Sequence, residues 1–147
     1  MRALLQRVSE AKVTVEGEVT GQIGVGLVVF LGIGRADTKA QAERVAQKVI
    51  QLRVFPDGAG KMNLSLGDVS GELLIVSQFT LYADVRKGNR PSYSEAAKPE
   101  VAQELYEYFV GLCRERGFRV QTGTFQAQMQ VQLLNDGPVT IMYDSES

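Results

Sequence analysis

The chain contains no histidine and no tryptophan, and it has a single cysteine among its 147 residues. Without histidine, a Ser-His-Asp triad, a Cys-His pair and a histidine-built zinc site are all excluded. One cysteine also excludes a disulfide framework within the chain, which favours a cytosolic protein. Any chemistry must therefore use backbone groups, hydroxyls, carboxylates, amines or the substrate itself.

A strong excess of charge and a long apolar run are also lacking. The net charge of −1, from 16 basic and 17 acidic residues, provides no global positive field for a long nucleic-acid duplex, although a local patch could bind RNA. The longest apolar run, residues 25–33, is far below the ~18 residues that indicate a membrane span. The N-terminal residues lack the apolar core of a signal peptide. We therefore expect a cytoplasmic protein without membrane contact.

The length and a 44% hydrophobic content predict one globular domain over residues 1–147. Apolar runs and alternation predict strands, and turn residues separate them. The order of strands, helix, strand, helix and strands predicts an α/β protein with two helices layered on a sheet and a second sheet facing it. The predicted strands cover residues 3–8, 11–20, 25–33, 73–76, 126–133 and 139–143.

Two helices are predicted from their first turns and their apolar spacing. Thr38 and Gln41 form a capping box, and Pro99 occupies a tolerated first-turn position. Cys113 shares a helical face with Phe109 and is interpreted as a buried core residue without a base to activate it. The predicted core stripes are Ala42, Val45, Ala46, Val49 and Ile50 in the first helix, and Val101, Leu105, Phe109 and Leu112 in the second.

Residues 126–133 alternate between apolar side chains and four glutamines, which is typical of a half-exposed strand. The glutamine face could be solvated or could pair in a subunit interface.

After this strand comes the segment Asn-Asp-Gly-Pro-Val-Thr at 135–140. Gly137 and Pro138 could simply form a turn between two strands. An X-Pro bond can also be cis at a cost of only about 0.5–1 kcal/mol, and this would turn successive carbonyls the same way. Such carbonyls could accept from an ammonium group while refusing a bulky substituent on one side of a tetrahedral carbon.

The segment Ser-Gln-Phe-Thr-Leu at 77–81 ends a buried strand. It could be an ordinary strand end, or a pocket edge where backbone N–H groups face a reacting carbonyl oxygen. A pre-oriented donor of that kind contributes about 2.7–4 kcal/mol to acyl transfer. Thr80 is a conceivable nucleophile, but its hydroxyl would need a base. We favour a role for it in orienting the substrate or water.

A loop follows this segment and carries Arg86, Lys87 and Arg90 together with Tyr82 and Tyr93. The loop could be a solvated basic surface, or it could contact phosphates while a tyrosine stacks on an unpaired base.

Four further charged residues are candidates for a role. Asp84 and Asp136 could act in acid–base chemistry, although nothing in the sequence raises the pKa of either. Arg2 and Arg7 could add to a basic surface near the loop.

The segments 77–81 and 135–140, in this order and without histidine, resemble the D-aminoacyl-tRNA deacylase family in its bacterial and eukaryotic form. The resemblance covers essentially the whole chain, including residues 61–63 and 87–92. A related animal enzyme that removes L-alanine has Pro-Gln-Ala-Thr-Leu in the first segment. Ser77 and Phe79 therefore place this chain on the D-specific side.

The resemblance implies a homodimer with a three-layer α/β/β fold and no cofactor or metal. It implies hydrolysis of the ester between a D-amino acid and the 3′-terminal adenosine of tRNA, with glycyl-tRNA(Ala) as a second substrate. Only the single-stranded acceptor end of the tRNA would have to be held, and Arg86, Lys87 and Arg90 of the basic loop are the candidate tRNA contacts. The implied site places Gly137 and Pro138 of one subunit, with the bond between them cis, opposite Ser77, Gln78, Phe79 and Thr80 of the other.

The residues themselves agree with this chemistry. An aminoacyl ester beside a ribose 2′-OH is already activated, so positioning and an oxyanion site can suffice. Two other functions are open: a non-catalytic tRNA-binding dimer, and a small-molecule esterase or amidase with Thr80 as nucleophile. Residues 145–147 are expected to be a frayed end.

Overall fold

Strand β1 (Arg2–Val15) hydrogen-bonds to three other strands in the computed structural model, which describes residues 1–146. It pairs antiparallel with β2 (Glu18–Ile23), with β3 (Gly26–Gly32) and with β8 (Gln130–Asp144). The first half of β1 lies between β3 and β8, and its second half lies between β2 and β8. This sharing is possible because β1 is 14 residues long and its two halves face different neighbours.

The remaining strands extend the sheet on one side. β6 (Glu72–Ser77) is parallel to β3, and β7 (Val120–Thr122) is parallel to β6. β4 (Phe55–Pro56) and β5 (Met62–Leu64) form a separate hairpin around a turn at 57–60. The predicted α/β class, with two helices and a mainly antiparallel sheet, is confirmed. The expected second β layer belongs to the same hydrogen-bonded sheet, because β1 joins β8 to β2 and β3.

Helix α1 (Lys39–Gln51) begins at the predicted capping box. The Oγ1 of Thr38 accepts from the Ala40 N–H at 3.3 Å, and the Gln41 side chain accepts from the Thr38 N–H at 2.7 Å. Both contacts satisfy N–H groups that a helix start leaves without an internal partner. Helix α2 (Pro99–Glu115) starts at Pro99, as predicted.

The buried face of α2 differs from the predicted stripe. Val101 is 44% exposed and lies outside the core, and Leu112 is only half-buried. The i, i+4 row of Leu105, Phe109 and Cys113 is buried, while Val101 extends this row one turn beyond the core. The stripe also includes Tyr106 and Val110, so the apolar face is centred nearer to the middle of the helix.

Two apolar clusters fill the fold. The larger lies between the helices and the sheet and includes Met1, Leu5, Phe109 and Cys113. Burial raises the pKa of the Cys113 thiol to about 12, so this cysteine is an inert core residue as predicted. The second cluster comes from strand residues alone: Val8, Ala11, Val13, Ile23, Val28, Leu74 and Val76.

The last strand starts later and ends later than predicted. β8 begins at Gln130, and Gln126 has a positive φ of 66°, which is incompatible with an extended strand there. The predicted alternation holds inside β8, where Val131 is half-buried and Gln132 is exposed. The closing strand predicted at 139–143 is part of β8 as well. No helix within residues 1–146 is long and apolar enough to cross a membrane.

The expected frayed end is wrong for Ser145, which is buried beside the first residue. The Met1 ammonium donates to Asp37 Oδ1 at 2.8 Å and to Ser145 Oγ at 2.9 Å, and the Ser145 N–H donates to the Met1 carbonyl. Hydrogen bonding to a buried charge orders the chain there, because an unpaired ammonium is costly inside a protein. Glu146 is exposed, and Ser147 lies outside the described residues.

Replacing Asp37 with Asn should leave the fully buried Met1 ammonium without a counter-charge. Removing one partner of a buried pair costs about 3–5 kcal/mol, so the free energy of unfolding in urea should fall by about 3 kcal/mol. Asp84→Asn is the control, because it breaks a pair with the 87% exposed Arg86 side chain. That variant should lose much less stability than Asp37→Asn, because exposed ion pairs contribute little. Equal losses in the two variants would contradict the expectation.

Candidate active site

The segment 77–81 lies where β6 turns into a short 3₁₀ helix, Phe79–Tyr82. Gln78 directly follows β6, and its N–H donates to the Leu31 carbonyl of β3 at 2.8 Å. A Cβ at Gly32 would lie 3.0 Å from the Gln78 carbonyl oxygen, so a glycine there lets the turn sit directly on β3.

The first N–H groups of the 3₁₀ helix have no hydrogen-bond acceptor in the described part of the chain. No hydrogen bond from the Phe79 or Thr80 N–H is found within residues 1–146. This is expected, since the first N–H groups of a helix have no partner inside it. The strand end therefore presents two unsatisfied backbone donors at the surface.

A cavity of about 590 Å³ opens beside this strand end. Ser77, Gln78 and Phe79 line it, and Thr80 follows them as an exposed residue. The Phe79 ring is 56% exposed and meets the Tyr93 ring edge-on, with 4.9 Å between the ring centroids. The remaining lining is mostly apolar: Ile33, Val76, Ala96, Ala97, Pro99, Ala102, Phe125, Gln126, Ala127, Met129 and Val131.

The Thr80 hydroxyl has a neighbour that cannot activate it. Its oxygen accepts a hydrogen bond from the Gln78 side-chain amide. An amide N–H donor holds the hydroxyl oxygen in place but cannot remove its proton. The contact favours an orienting role for Thr80 over nucleophilic attack.

The Gly-Pro segment forms a protrusion from β8. Gln6 of β1 pairs with Thr140 and Val8 pairs with Asn135, so four residues of β8, 136–139, stand opposite the single residue between them. We call residues 136–139 the excursion. The Gly137–Pro138 peptide bond in it is cis, and Gly137 has a φ of 150°. In the part of the chain that the structure describes, no hydrogen bond reaches the carbonyls of Gly137 and Pro138.

Arg7 is the residue opposite the excursion, and it is only 8% exposed. Its Nε donates to the Asp136 carbonyl at 2.8 Å, and its Nη1 donates to the Val54 carbonyl at 2.6 Å. The prediction that Arg7 adds to a basic surface is therefore wrong. The sequence did carry a signal, because Arg7 follows Ala3 and Leu5 on the buried face of an alternating strand.

Asn135, the residue before the excursion, hydrogen-bonds to the last residue of the excursion, Val139. Its Oδ1 accepts from the Val139 N–H at 2.8 Å, and its Nδ2 donates to the Val139 carbonyl and the Thr140 hydroxyl, both at 3.1 Å. Together with Arg7, these contacts satisfy backbone groups that the interrupted strand pairing leaves over. The excursion is thus held by side chains on both flanks.

The two halves of the predicted site do not meet within one copy of the chain. Gly137 and Pro138 are exposed and are not among the described residues that line the cavity. Ser77, Gln78 and Phe79 lie together, whereas the excursion lies on the opposite edge of β1 from β3 and β6. A site that uses both segments needs a second copy.

The basic loop is partly neutralised. Arg86 forms two hydrogen bonds with the Asp84 carboxylate, at 2.9 and 2.7 Å, and these hold the pKa of Asp84 at about 2. Asp84 is therefore a poor general acid or base near neutral pH. Lys87 and Arg90 are exposed, and no ion pair involving either is found within residues 1–146.

Asp136 and Tyr82 are two further residues that the sequence suggested for a role. Asp136 contacts Arg7 mainly through its carbonyl, because its carboxylate lies 3.9 Å from the guanidinium. Tyr82 is half-buried beneath the Arg2 guanidinium, and burial raises its pKa well above the usual value. Tyr93 is consequently the more accessible of the two tyrosines for stacking on a base.

Among residues 1–146 no group of three or more histidine, cysteine or acidic residues could hold a metal ion.

Comparison with known proteins gives consistent matches over the chain. A profile of the family described as D-Tyr-tRNA(Tyr) deacylase matches residues 4–144. The D-aminoacyl-tRNA deacylase of Thermosipho africanus is 58% identical over 146 residues, covering 99% of this chain and 98% of that protein. The protein of the same name from Thermotoga petrophila is 58% identical over 145 residues, with coverages of 99% and 97%.

Two solved structures have a similar fold over nearly the whole chain. One is titled c-Myc DNA Unwinding Element Binding Protein, with a TM-score of 0.92, 43% identity and 98% of each chain covered. Another is titled as a probable eukaryotic D-amino acid tRNA deacylase, with a TM-score of 0.86 over 97% of each chain. At 19% identity, this second likeness shows the fold alone.

Replacing Asn135 with Ala should loosen the excursion, because the N–H of the buried Val139 loses its acceptor. Leaving a buried donor unsatisfied costs about 1–3 kcal/mol. Hydrogen exchange at the Val139 amide should accelerate correspondingly. Gln6→Ala, which removes an exposed contact to Thr140, is the control and should change stability by less than about 0.5 kcal/mol. An unchanged Val139 exchange rate in Asn135→Ala would refute this account of the excursion.

Proposed function

The chain belongs to the D-Tyr-tRNA(Tyr) deacylase family, and from its geometry we propose how it acts as a D-aminoacyl-tRNA deacylase. Relatives with 58% identity over nearly the full chain carry this activity in their names, so the chain is a carboxylic ester hydrolase of that kind. The substrate we propose is the ester joining a D-amino acid to the 3′-terminal adenosine of tRNA. Because charged tRNA is used in the cytoplasm, we propose that compartment for the reaction.

We propose that the active unit is a homodimer in which the excursion of one subunit enters the cavity of the other. The observation that carries this proposal is the exposed excursion itself: it is held by Arg7 and Asn135, and within residues 1–146 the carbonyls of Gly137 and Pro138 accept no hydrogen bond and neither residue lines the cavity. A rigid exposed protrusion and an open cavity in the same chain are complementary features of an isologous interface.

An apolar sheet face supports the same arrangement. Leu4 of β1 has Phe30 of β3 and Met142 of β8 as direct cross-strand neighbours, so the three side chains lie side by side on one face. Leu4 and Phe30 are half-buried, and Met142 is 50% exposed. A second copy of the chain, packed on this row, would bury it and bring two copies of β8 close together.

The D-form would be selected because the excursion sterically excludes the L-form. The two carbonyls would accept the substrate's α-ammonium group, and their main-chain atoms would leave no room for a side chain on the L side of the α-carbon. Rejection by a clash requires a rigid wall, and the contacts of Arg7 and Asn135 supply that rigidity. Glycine has no side chain to reject, so glycyl-tRNA(Ala) is a second proposed substrate.

Catalysis would depend on positioning. The free N–H groups of Phe79 and Thr80 are suited to stabilise the oxyanion that forms when water attacks the ester carbonyl. The ribose 2′-OH next to the ester assists the departure of the 3′-oxygen, and Ser77, Gln78 and Thr80 orient the reactants. No protein nucleophile is needed, which agrees with an amide donor as the partner of the Thr80 hydroxyl.

Binding of tRNA would be local. Lys87 and Arg90 extend from the loop beside the cavity and carry the proposed phosphate contacts, while Arg86 is tied to Asp84. Tyr93 and Phe79 at the cavity mouth offer aromatic surface to an unpaired base. Affinity should weaken as salt rises, because phosphate contacts release counterions.

The proposal is tested by incubating the purified protein with D-tyrosyl-tRNA, L-tyrosyl-tRNA and glycyl-tRNA(Ala) and measuring the deacylation of each. We expect the D-ester and the glycyl ester to be cleaved and the L-ester to be spared. The alternative of a non-catalytic tRNA-binding dimer would show binding of all three without cleavage. Cleavage of D- and L-esters at equal rates would refute selection by the excursion.

Gly137→Ala should impair the excursion, since the new Cβ would lie 2.8 Å from the Val139 nitrogen and 3.2 Å from Arg7 Nη2. A displacement of about 1 Å at a reacting centre can cost about 100-fold in rate. We expect D-ester cleavage to fall at least about tenfold. Gly17→Ala is the control, because Gly17 also has a positive φ but nothing within 4 Å of its Cβ position. Full D/L discrimination in Gly137→Ala would count against the proposal.

Subunit mixing separates a shared site from a site within one chain. Gly137→Ala and Phe79→Ala homodimers should each be impaired, whereas their heterodimer would contain one cavity and one excursion that are both intact and complementary. Mixing by refolding or co-expression should therefore restore activity. If both segments acted within one chain, no mixture could recover activity above that of the parents.

Thr80→Ala distinguishes orientation from nucleophilic attack. Because the hydroxyl would only orient reactants, we expect a partial loss of at most about 100-fold, with D-selectivity retained. A small-molecule esterase with Thr80 as nucleophile would instead lose nearly all activity. Trapping of an acyl-enzyme on the unmodified protein by acid quench and mass spectrometry would establish that alternative.

A further inference from the structure

Arg2 makes three contacts around the end of the 3₁₀ helix Phe79–Tyr82. Its Nη1 donates to the Leu81 carbonyl at 2.8 Å, and its Nε donates to Asp144 Oδ2 at 3.0 Å. Its guanidinium lies 4.4 Å from the centroid of the Tyr82 ring. Arg2 is therefore part of the support of this helix, and its 37% exposed side chain lies at the start of the basic loop, beside Tyr82.

The helix needs external support because it has little of its own. It contains four residues, none of them buried, and its last carbonyls lack partners inside so short a helix. A cation at a helix C-terminus satisfies such carbonyls and interacts favourably with the backbone dipole. The planar guanidinium suits this place, because its fixed fork of donors can bond a carbonyl and a carboxylate while its flat face lies over an aromatic ring.

The backbone on which the Tyr82 ring rests is also held in place, by a contact to the residue before β1. A Cβ at Gly34 would lie 2.9 Å from the Tyr82 ring, so the ring rests directly on the Gly34 backbone. The Gly34 N–H donates to Asp37, and Asp37 in turn accepts from the buried Met1 ammonium. Tyr82 is consequently held between a braced backbone below and the Arg2 guanidinium above.

We propose that Arg2 is a positioning residue for the deacylation, acting through the Leu81 carbonyl and the Tyr82 ring. It keeps the 3₁₀ helix seated so that the Phe79 and Thr80 N–H groups remain aimed at the developing oxyanion. This inference rests on the proposed function. Loss of Arg2 should lower the rate of the chemical step more than the affinity, because the helix carries the oxyanion donors while the cavity walls hold the substrate.

The experiment compares Arg2→Ala and Arg2→Lys with Arg119→Ala. Arg119 is a matched control, because its guanidinium also donates to one carbonyl, that of Gln22, and to one carboxylate, that of Glu72. Single-turnover cleavage of D-tyrosyl-tRNA is measured over a range of enzyme concentrations, which separates the maximal rate from the half-saturation concentration. Hydrogen exchange at the amides of residues 79–83 is measured in parallel.

Arg2→Ala should lower the maximal rate at least about tenfold, with the half-saturation concentration within about threefold of the unmodified protein. Exchange at residues 79–83 should accelerate. Arg2→Lys should keep the pairing with Asp144 and the melting temperature but recover little of the rate, since an ammonium lacks the fork that also reaches Leu81. Arg119→Ala should keep a rate within about twofold of the unmodified protein.

Three results would overturn the proposal: an unchanged maximal rate in Arg2→Ala, an equal rate loss in Arg119→Ala, or full recovery of the rate in Arg2→Lys. If Arg2→Ala does not fold, Arg2→Lys decides by the same criteria. If the unmodified protein fails to cleave any ester, the proposed function is refuted. The exchange rates at 79–83 then still decide whether Arg2 holds the helix, so the two failures are distinguishable.

Discussion

The backbone pairing of β1 with β3 on one side and β8 on the other positions both parts of the candidate site. Arg2 and Arg7 lie on opposite faces of this strand, because side chains alternate along it. One guanidinium contacts the helix that follows β6, and the other contacts the excursion of β8. A shift of β1 by one residue would exchange the faces of both arginines, so the register of this strand controls the geometry of the whole site.

The chemistry assigned to the site is consistent with the residues that the chain lacks. The chain has no histidine, and its cysteine and aspartates are buried, ion-paired or solvent-facing, so the proposed mechanism uses main-chain N–H and carbonyl groups. Main-chain groups are effective only when they are rigidly placed, since they have no side-chain rotamers with which to adapt. This explains why the conspicuous side-chain contacts here, those of Arg2, Arg7 and Asn135, are contacts to backbone carbonyls and N–H groups.

Local sequence signals predicted much of the fold. The capping box at Thr38, the first-turn Pro99 and the continuous apolar run of β3 are all found where they were expected, because each depends on contacts within a few residues. The start of β8 at Gln130 was missed, since alternation cannot reveal that Gln126 adopts a positive φ beside the cavity. The exposure of Val101 was also missed, because where the core ends along a helix depends on what packs against it.

The sequence alone determined the family and excluded several mechanisms, because short motifs carry the family resemblance and absent residue types rule chemistry out. It also singled out the two segments on which the proposed chemistry depends. It could not assign Arg7, Arg2 or Ser145. These residues are separated by 129, 79 and 144 positions from the Asp136, Leu81 and Met1 groups that they contact. Only the tertiary structure decided that the cavity and the excursion of one chain lie apart. The reason is that strand pairing across β1, which is a long-range property, sets the distance between them.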